Sequence, residues 1–273
     1  MSLLRRFFEI PYSLLTYVVI MCGMVPIFLF IMKVLNRTEV HGKGYLQQAE
    51  LPFLFVSNHV TMLDDAFVGT VVFMPRALWD WRFIPYHTPE KKNFFKGPFF
   101  SFLMWASKCI PFTRGKGVFQ PGMERVIRLL KGKNSVCIYP EGTRTRTGEI
   151  GKGKIGVGRI VRETGAKVIP CYHTGLEKVL PIGHKIPRFG HRVKIQIGKA
   201  LAFDEFMKLP NTPKTWQGIS DRIIDAIKDL HNIMEEKKSI SNLIGTETSE
   251  FGQVEPPPTH AAQNCSGGIR NQK

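Results

Sequence analysis

The chain is short of acid. Its 273 residues include 22 Asp or Glu against 38 Lys or Arg, a formal net charge of +16. It also lacks a cysteine framework: Cys22, Cys109, Cys137, Cys171 and Cys265 are odd in number, widely spread, and form no Cys-x-x-Cys pair. That argues against a disulfide scaffold, a zinc ribbon and a thioredoxin-type redox site. Cys137 and Cys171 lie inside apolar runs, where a cysteine usually serves as a small core residue. There is no internal repeat and no RNA- or DNA-binding signature, which argues against a nucleic-acid partner. With 43% hydrophobic and 22% charged residues, the composition rules out a wholly disordered, collagen-like or coiled-coil chain.

What is present is concentrated. Residues 112–199 hold 19 Lys or Arg against 5 Asp or Glu, so nearly all the positive excess belongs to one third of the chain. Such a field attracts polyanions: nucleic acid, an anionic membrane surface or phosphorylated substrates. The length fits one large domain with terminal extras. Three parts are expected: a membrane-anchoring segment at 1–35, a catalytic domain at 36–238 and a disordered tail at 239–273, where Pro256, Pro257 and Pro258 sit among small polar residues.

Residues 10–32 carry no charge and are flanked by Arg5, Arg6 and Lys33. A straight helix of that length spans ~34 Å, about the thickness of a bilayer's hydrocarbon core. A cleaved signal peptide has a shorter apolar region and a small-residue cleavage site, and no convincing site of that kind is seen. Pro26, with Gly23 nearby, predicts a kink or break, so a tilted helix or a helical hairpin embedded in one leaflet stands beside a true span.

Beyond a polar stretch at 36–50, the apolar run 51–56 reads as a buried strand, 62–73 as a helix, 81–86 as a strand, 94–106 as an aromatic helix and 110–112 as a short strand. A helix at 122–130, strands at 135–139 and 167–171, a helix at 156–163, a half-exposed strand at 192–197 and a final helix at 216–237 follow. Strands alternating with helices predict an α/β fold, a mixed sheet flanked by helices.

Two phosphate-loop lookalikes fail their context. Residues 148–154 fit G-x-x-x-x-G-K, but Ile155 stands where a hydroxyl would hold magnesium, and Gly151, Gly153 and Gly156 fit G-x-G-x-x-G with no strand before them. No nucleotide cofactor is expected from them.

Two other constellations each follow a buried strand. In Asn58-His59-Val60-Thr61-Met62-Leu63-Asp64 a histidine and an aspartate lie five apart. On one continuous helix they would not face each other. They pair only if His59 sits in the strand-to-helix turn and Asp64 reaches back from the first helical turn, fixing the tautomer and leaving the other ring nitrogen to take a proton from an alcohol. Asp65 is a competing orienter, and the bland alternative is a helix N-terminus that favours acidic residues through its dipole. Backbone N–H groups after His59 are candidate oxyanion donors. In Tyr139-Pro140-Glu141-Gly142-Thr143-Arg144-Thr145-Arg146 a carboxylate, a glycine and two arginines occupy the usual ligand position at a strand's C-terminal end. Arginine suits phosphate; a solvated turn with an Arg–Glu pair is the alternative. Arg114, in the turn Thr113-Arg114-Gly115, is a third phosphate candidate. A base, an orienter and a phosphate clamp suit acyl transfer to a hydroxyl of a phosphorylated lipid, with no metal required.

The ordered set NHVTMLD at 58–64, PEGTR at 140–144 and Val168-Ile169-Pro170 resembles the glycerophospholipid acyltransferase family. Further blocks at 108–115, 117–120, 173–176 and 187–190 are similar to its transacylase branch, which needs no coenzyme A. The resemblance implies an α/β acyltransferase fold bound to one membrane face, with His59 as general base and Asp64 as its partner. It also implies Glu141, Gly142, Thr143 and Arg144 as the acceptor-binding block with Arg114 near the phosphate. It implies phospholipid and lysophospholipid substrates, cardiolipin remodelling on mitochondrial membranes, and no cofactor. Thr143-Arg144 is the pattern of acyl-CoA-dependent members, which makes acyl-CoA, and a 1-acylglycerol-3-phosphate acceptor, the alternative.

Overall fold

A computed structural model describes the backbone of residues 3–250 and the side chains of residues 11–239. Packing divides the chain into a unit at 1–234 and another at 235–273. The first holds a five-stranded sheet of β1 (Arg37–His41), β2 (Phe53–Ser57), β3 (Val136–Ile138), β4 (Lys167–Thr174) and β5 (Arg192–Ile197), in the order β1-β5-β4-β2-β3. Only the β4–β5 pairing is antiparallel. The sheet is mixed, and helices cover both faces, as the alternating pattern predicts.

β2 is buried along its whole length, which explains its unbroken apolar sequence: a central parallel strand packs on both faces. One face meets the helices Asp64–Val72 and Val25–Leu29 through Phe53, Phe55, Phe67 and Val71. The other meets Pro121–Lys131, Ile155–Thr164 and the start of Pro213–Glu250 through Leu54, Val56, Val126, Ile160 and Ile223. Met123, Val126, Ile127 and Leu130 lie on the inward stripe of their helix, and each such side chain contributes about 1.5–3 kcal/mol of burial.

The glycine-rich stretch before Ile155–Thr164 serves packing. A Cβ on Gly158 would stand 1.8 Å from the Trp216 carbonyl oxygen, and one on Gly153 would stand 2.3 Å from Ser220 Oγ. Gly153 and Gly158 let the last helix approach at close distance, while Gly151 and Gly156, which share the phosphate-loop spacing with Gly153, make room for Glu141 and Met123.

Several boundaries differ from the sequence reading. β1 lies in the stretch read as polar; its burial alternates and only Thr38 is buried, so it carries no hydrophobic signal. Residues 81–86 form a single 3₁₀ turn, Trp81–Phe83, and an isolated bridge from Tyr86 to Val136. The aromatic helix starts at Gly97, whose φ of +71° breaks it from the short helix Lys91–Phe94. Residues 110–112 contribute only isolated bridge contacts. The last helix runs Pro213–Glu250, past the expected start of the tail at 239. Residues 251–273, with the prolines and Cys265, lie outside the described residues.

The N-terminal segment is one helical run rather than a hairpin: Leu3–Val18 and Val25–Leu29 are joined by π-helical Val19–Met24 and followed by π-helical Phe30–Leu35. The wide turns accommodate Pro26, which has no N–H to give. Pro11–Leu35 is long and apolar enough to cross a membrane. One stripe of it, Ile20, Val25 and Met32, is buried in the body, and Phe28 packs edge-on against Phe67. Another stripe, Leu14, Val18, Ile27, Phe30 and Val34, is exposed.

Candidate active site

β2 and β3 are parallel neighbours, with Val56 opposite Ile138. The two motif loops therefore leave the sheet at the same edge, and the backbone binds them to each other. The Thr145 N–H donates to the His59 carbonyl at 2.8 Å, and the His59 N–H donates to Glu141 Oε1 at 3.1 Å. Asn58 ties the end of β2 to β4: its Nδ2 donates to the His173 carbonyl and its Oδ1 accepts from the His173 N–H, both at 2.9 Å.

Within this frame His59 sits in the turn and Asp64 is the first residue of its helix. Their pair closes at 2.8 Å between Nδ1 and Oδ2. Asp64 is fully buried and also accepts from the Val60 N–H at 2.7 Å, the Thr61 N–H at 2.9 Å and the Thr61 hydroxyl at 2.5 Å. Burial alone would raise its pKa; neighbouring His173, His59 and the Thr61 hydrogen bond outweigh burial and hold it below the ordinary carboxylate value. Burial also lowers the pKa of His173 and favours its neutral form. Because Val60 and Thr61 spend their N–H groups on Asp64, they are not available as oxyanion donors.

The His59 ring lies flat on Tyr139, centroid to centroid 4.0 Å at 13° between planes. Nδ1 is committed to Asp64, and no hydrogen bond engages Nε2 among the described residues. The ring lines a cavity of about 1150 Å³. Its lining includes the apolar side chains Met21, Met24, Leu63 and Phe73 and the cations Arg114, Arg144 and Lys154.

Arg114 is half exposed and pairs with Glu90 at 3.4 Å. Its loop is braced by Arg159, which donates to the Val118 carbonyl and pairs with Glu124 at 2.7 Å and Glu163 at 2.6 Å. Gly142, with φ +66°, and Thr143 face the cavity beside Arg144. Glu141 does not. It is buried, and its oxygens accept from the His59 and Gly151 N–H groups, at 3.1 and 2.9 Å. A carboxylate committed to two backbone donors fixes the loops and does not reach the cavity as the motif alone suggests. Burial raises its pKa.

Asp65 does not orient His59. One position further round the helix, it accepts from the Tyr139 hydroxyl at 3.0 Å and lies 2.9 Å from His87 Nδ1. Lys154, Tyr139 and His87 also line the cavity, and the sequence gives none of them a role; the signal for Tyr139 is its place immediately before Pro140.

A carboxylate-oriented imidazole at the strand ends of an α/β sheet, facing a cavity lined by apolar and cationic side chains, is equipped for general-base chemistry on an amphiphilic substrate. The acyltransferase family profile matches residues 37–174, about half of the chain, and the chain belongs to that family. A tafazzin of Dictyostelium discoideum is 32% identical over 165 residues, covering 58% of each chain. A tafazzin of Drosophila melanogaster is 27% identical over 217 residues, 72% of this chain and 55% of its own. A chloroplastic 1-acyl-sn-glycerol-3-phosphate acyltransferase of Brassica napus is 29% identical over 148 residues, 54% of this chain and 40% of its own. The chain thus spans little more than half the length of these tafazzins. In fold it matches the 1-acyl-sn-glycerophosphate acyltransferase of Thermotoga maritima, with a TM-score of 0.54 at 18% identity, over 82% of this chain and 98% of that one.

Proposed function

We propose that this O-acyltransferase is a membrane-bound transacylase that moves an acyl chain from a phospholipid to the free hydroxyl of a lysophospholipid, with cardiolipin and monolysocardiolipin on mitochondrial membranes as its natural pair. The observation that carries the reading is the His59–Asp64 pair beside a cavity walled by apolar side chains and by Arg114, Arg144 and Lys154.

In the reaction, His59 Nε2 takes the proton of the lysolipid hydroxyl as that oxygen attacks the donor's ester carbonyl. The tetrahedral intermediate expels the donor's glycerol oxygen, which receives the proton back from His59. One ester forms, one breaks, and the proton count closes. Asp64 keeps the Nδ1 proton in place and supports the transient imidazolium, and Tyr139 offers that cation an aromatic face. Arg114, Arg144 and Lys154 hold the phosphate, Gly142 and Thr143 shape its approach, and Glu141 is a positioning residue for the two loops. Ester-for-ester exchange is near thermoneutral and calls for no cofactor.

Thr143-Arg144 and the likeness to the Brassica acyltransferase favour a second reading, acyl-CoA-dependent acylation of 1-acylglycerol-3-phosphate. Purified protein is given radiolabelled lysolipid in vesicles of defined phospholipid, with and without acyl-CoA. Transfer without acyl-CoA is the expected result; strict dependence on acyl-CoA moves the assignment to the second reading.

Lipids with acyl chains do not leave a bilayer readily, at about 0.8 kcal/mol per buried CH₂, so the enzyme must approach the membrane. The Tyr12 and Trp105 rings meet in a tilted contact, 4.5 Å between centroids, and Tyr17 donates to the Leu78 carbonyl at 2.8 Å. These contacts join the exposed stripe of the N-terminal helix to Phe99, Phe100, Phe102 and Trp79, all exposed. Lys91, Lys92 and Lys96 flank that surface in sequence and suit anionic headgroups. Removing the N-terminal helix would also strip Met21 and Met24 from the cavity, so surface changes are the cleaner test. Phe30→Glu with Phe99→Glu lowers partition into anionic vesicles by roughly tenfold or more, each lost phenylalanine being worth about 1.5–3 kcal/mol when fully inserted. Unchanged cosedimentation would assign membrane binding to another surface.

A further inference from the structure

A second group of chemically reactive side chains lies one layer below His59. Asp65 begins the same helix as Asp64, His87 follows the bridge at Tyr86, and Cys137 is the central residue of β3. One carboxylate oxygen, one ring nitrogen and the thiol sulfur lie within 4.8 Å of one another. His87 Nδ1 is buried, lies 2.9 Å from Asp65 Oδ1, and has no other polar partner among the described residues. Cys137 is 4% exposed. Beside them is a void of about 10 Å³, lined also by Ser57, Asp64 and Tyr139. That is the space of one water or one metal ion. Asp65 and His87 also line the large cavity, which gives a route inward.

We propose that Asp65, His87 and Cys137 form an inhibitory site for a borderline-soft divalent cation of the zinc type. Sulfur, imidazole and carboxylate together are the donor set of zinc. With bonds of about 2.3 Å to sulfur and 2.0–2.2 Å to nitrogen and oxygen, the edges of a tetrahedral site are ~3.3–3.6 Å. The donors now lie within 4.8 Å of one another, so the longest separation must close by roughly 1 Å to reach those edges. Water in the void supplies the fourth ligand. Binding releases the thiol proton of Cys137 to solvent, and the metal stabilises the thiolate left behind.

The consequence for turnover follows from Tyr139. Its hydroxyl donates to the same Asp65 oxygen that lies against His87, and its ring is the floor on which His59 stacks. An ion that claims Asp65 unseats that hydroxyl and, together with the Cys137 thiolate, takes the net charge of the site from −1 to 0, which removes a negative charge from beneath an imidazole that must become cationic. Metal occupancy therefore slows acyl transfer. The binding claim stands apart from the proposed function; only the inhibition rests on it.

The test uses cobalt(II) as an optical probe on the full chain. Titration of the metal-free protein is expected to give a near-ultraviolet thiolate-to-cobalt charge-transfer band. Cys137→Ser abolishes the band, while Cys22→Ser, Cys109→Ser and Cys171→Ser keep it. His87→Gln, whose side chain lies on the cavity wall, weakens cobalt affinity by roughly tenfold or more and reads the site even if the strand substitution fails to fold. Zinc(II) competes the band away and lowers the transfer rate of the wild type, and His87→Gln needs correspondingly more zinc for the same fractional loss against its own zinc-free rate. No band in the wild type, or a band that survives Cys137→Ser, overturns the site. A normal band with turnover unmoved by zinc overturns the inhibition and leaves the site.

Discussion

His59→Ala lowers acyl transfer by roughly 10²–10⁴-fold, the usual worth of a positioned general base, with vesicle binding retained. The size of the loss follows from how little else at the site can take its place. Asp64 is fully buried and saturated with donors, Glu141 is committed to two backbone N–H groups, and Asp65 is turned toward Tyr139 and His87. No other carboxylate in these motifs is placed to take the hydroxyl proton. The fold should survive, because the imidazole is partly exposed and Asp64 keeps its bonds from Val60 and Thr61. Initial rates with labelled lysolipid, beside circular dichroism of the variant, check both halves; undiminished transfer would remove His59 from the chemistry.

Asp64→Asn should be nearly as severe and costs stability as well. Both carboxylate oxygens accept: Oδ2 from His59, Val60 and Thr61, and Oδ1 from the Thr61 N–H and hydroxyl. An amide must turn its NH₂ toward one of these sets. Facing Thr61, it meets a backbone donor and leaves buried groups poorly paired, at about 1–3 kcal/mol. Facing His59, it donates to Nδ1, drives the ring proton onto Nε2 and blocks the base. Tautomer reversal in a comparable His–Asp pair costs on the order of 10⁴ in kcat. Denaturant melts and transfer rates on the same preparation separate the effects. A variant both as stable and as active as the wild type would show that the buried carboxylate does not hold the ring.

Much of this was legible in the residues, for reasons that also mark where legibility ends. β2 to β5 are apolar runs or clear alternations, because a buried strand must be apolar on every face it buries. β1 was not, since Arg37–His41 buries only Thr38 and gains its place by pairing with β5. Spacing placed His59 and Asp64 in one turn but left Asp65 as a rival. Adjacent helical residues point about 100° apart, and only packing decides which one looks inward. Glu141 was visible as a motif residue. That its carboxylate turns under the loop, toward two backbone N–H groups, is a fact of tertiary contact. The glycines at 151–156 carried a different meaning: their spacing imitates a phosphate loop, while each makes room for a neighbour, Gly151 for Glu141, Gly153 for Ser220 and Gly156 for Met123. His87 and Cys137 stand fifty residues apart in sequence, and nothing local announces that they meet.

The central claim is that His59 and Asp64 act as one device, and a double-mutant cycle tests it most directly. Transfer rates are measured for the wild type, His59→Ala, Asp64→Asn and the double variant in the same vesicles. If the carboxylate works only through the imidazole, the double variant is as slow as His59→Ala and no slower. Two losses that multiply would mean the residues contribute separately, and the mechanism built on their pairing would be wrong.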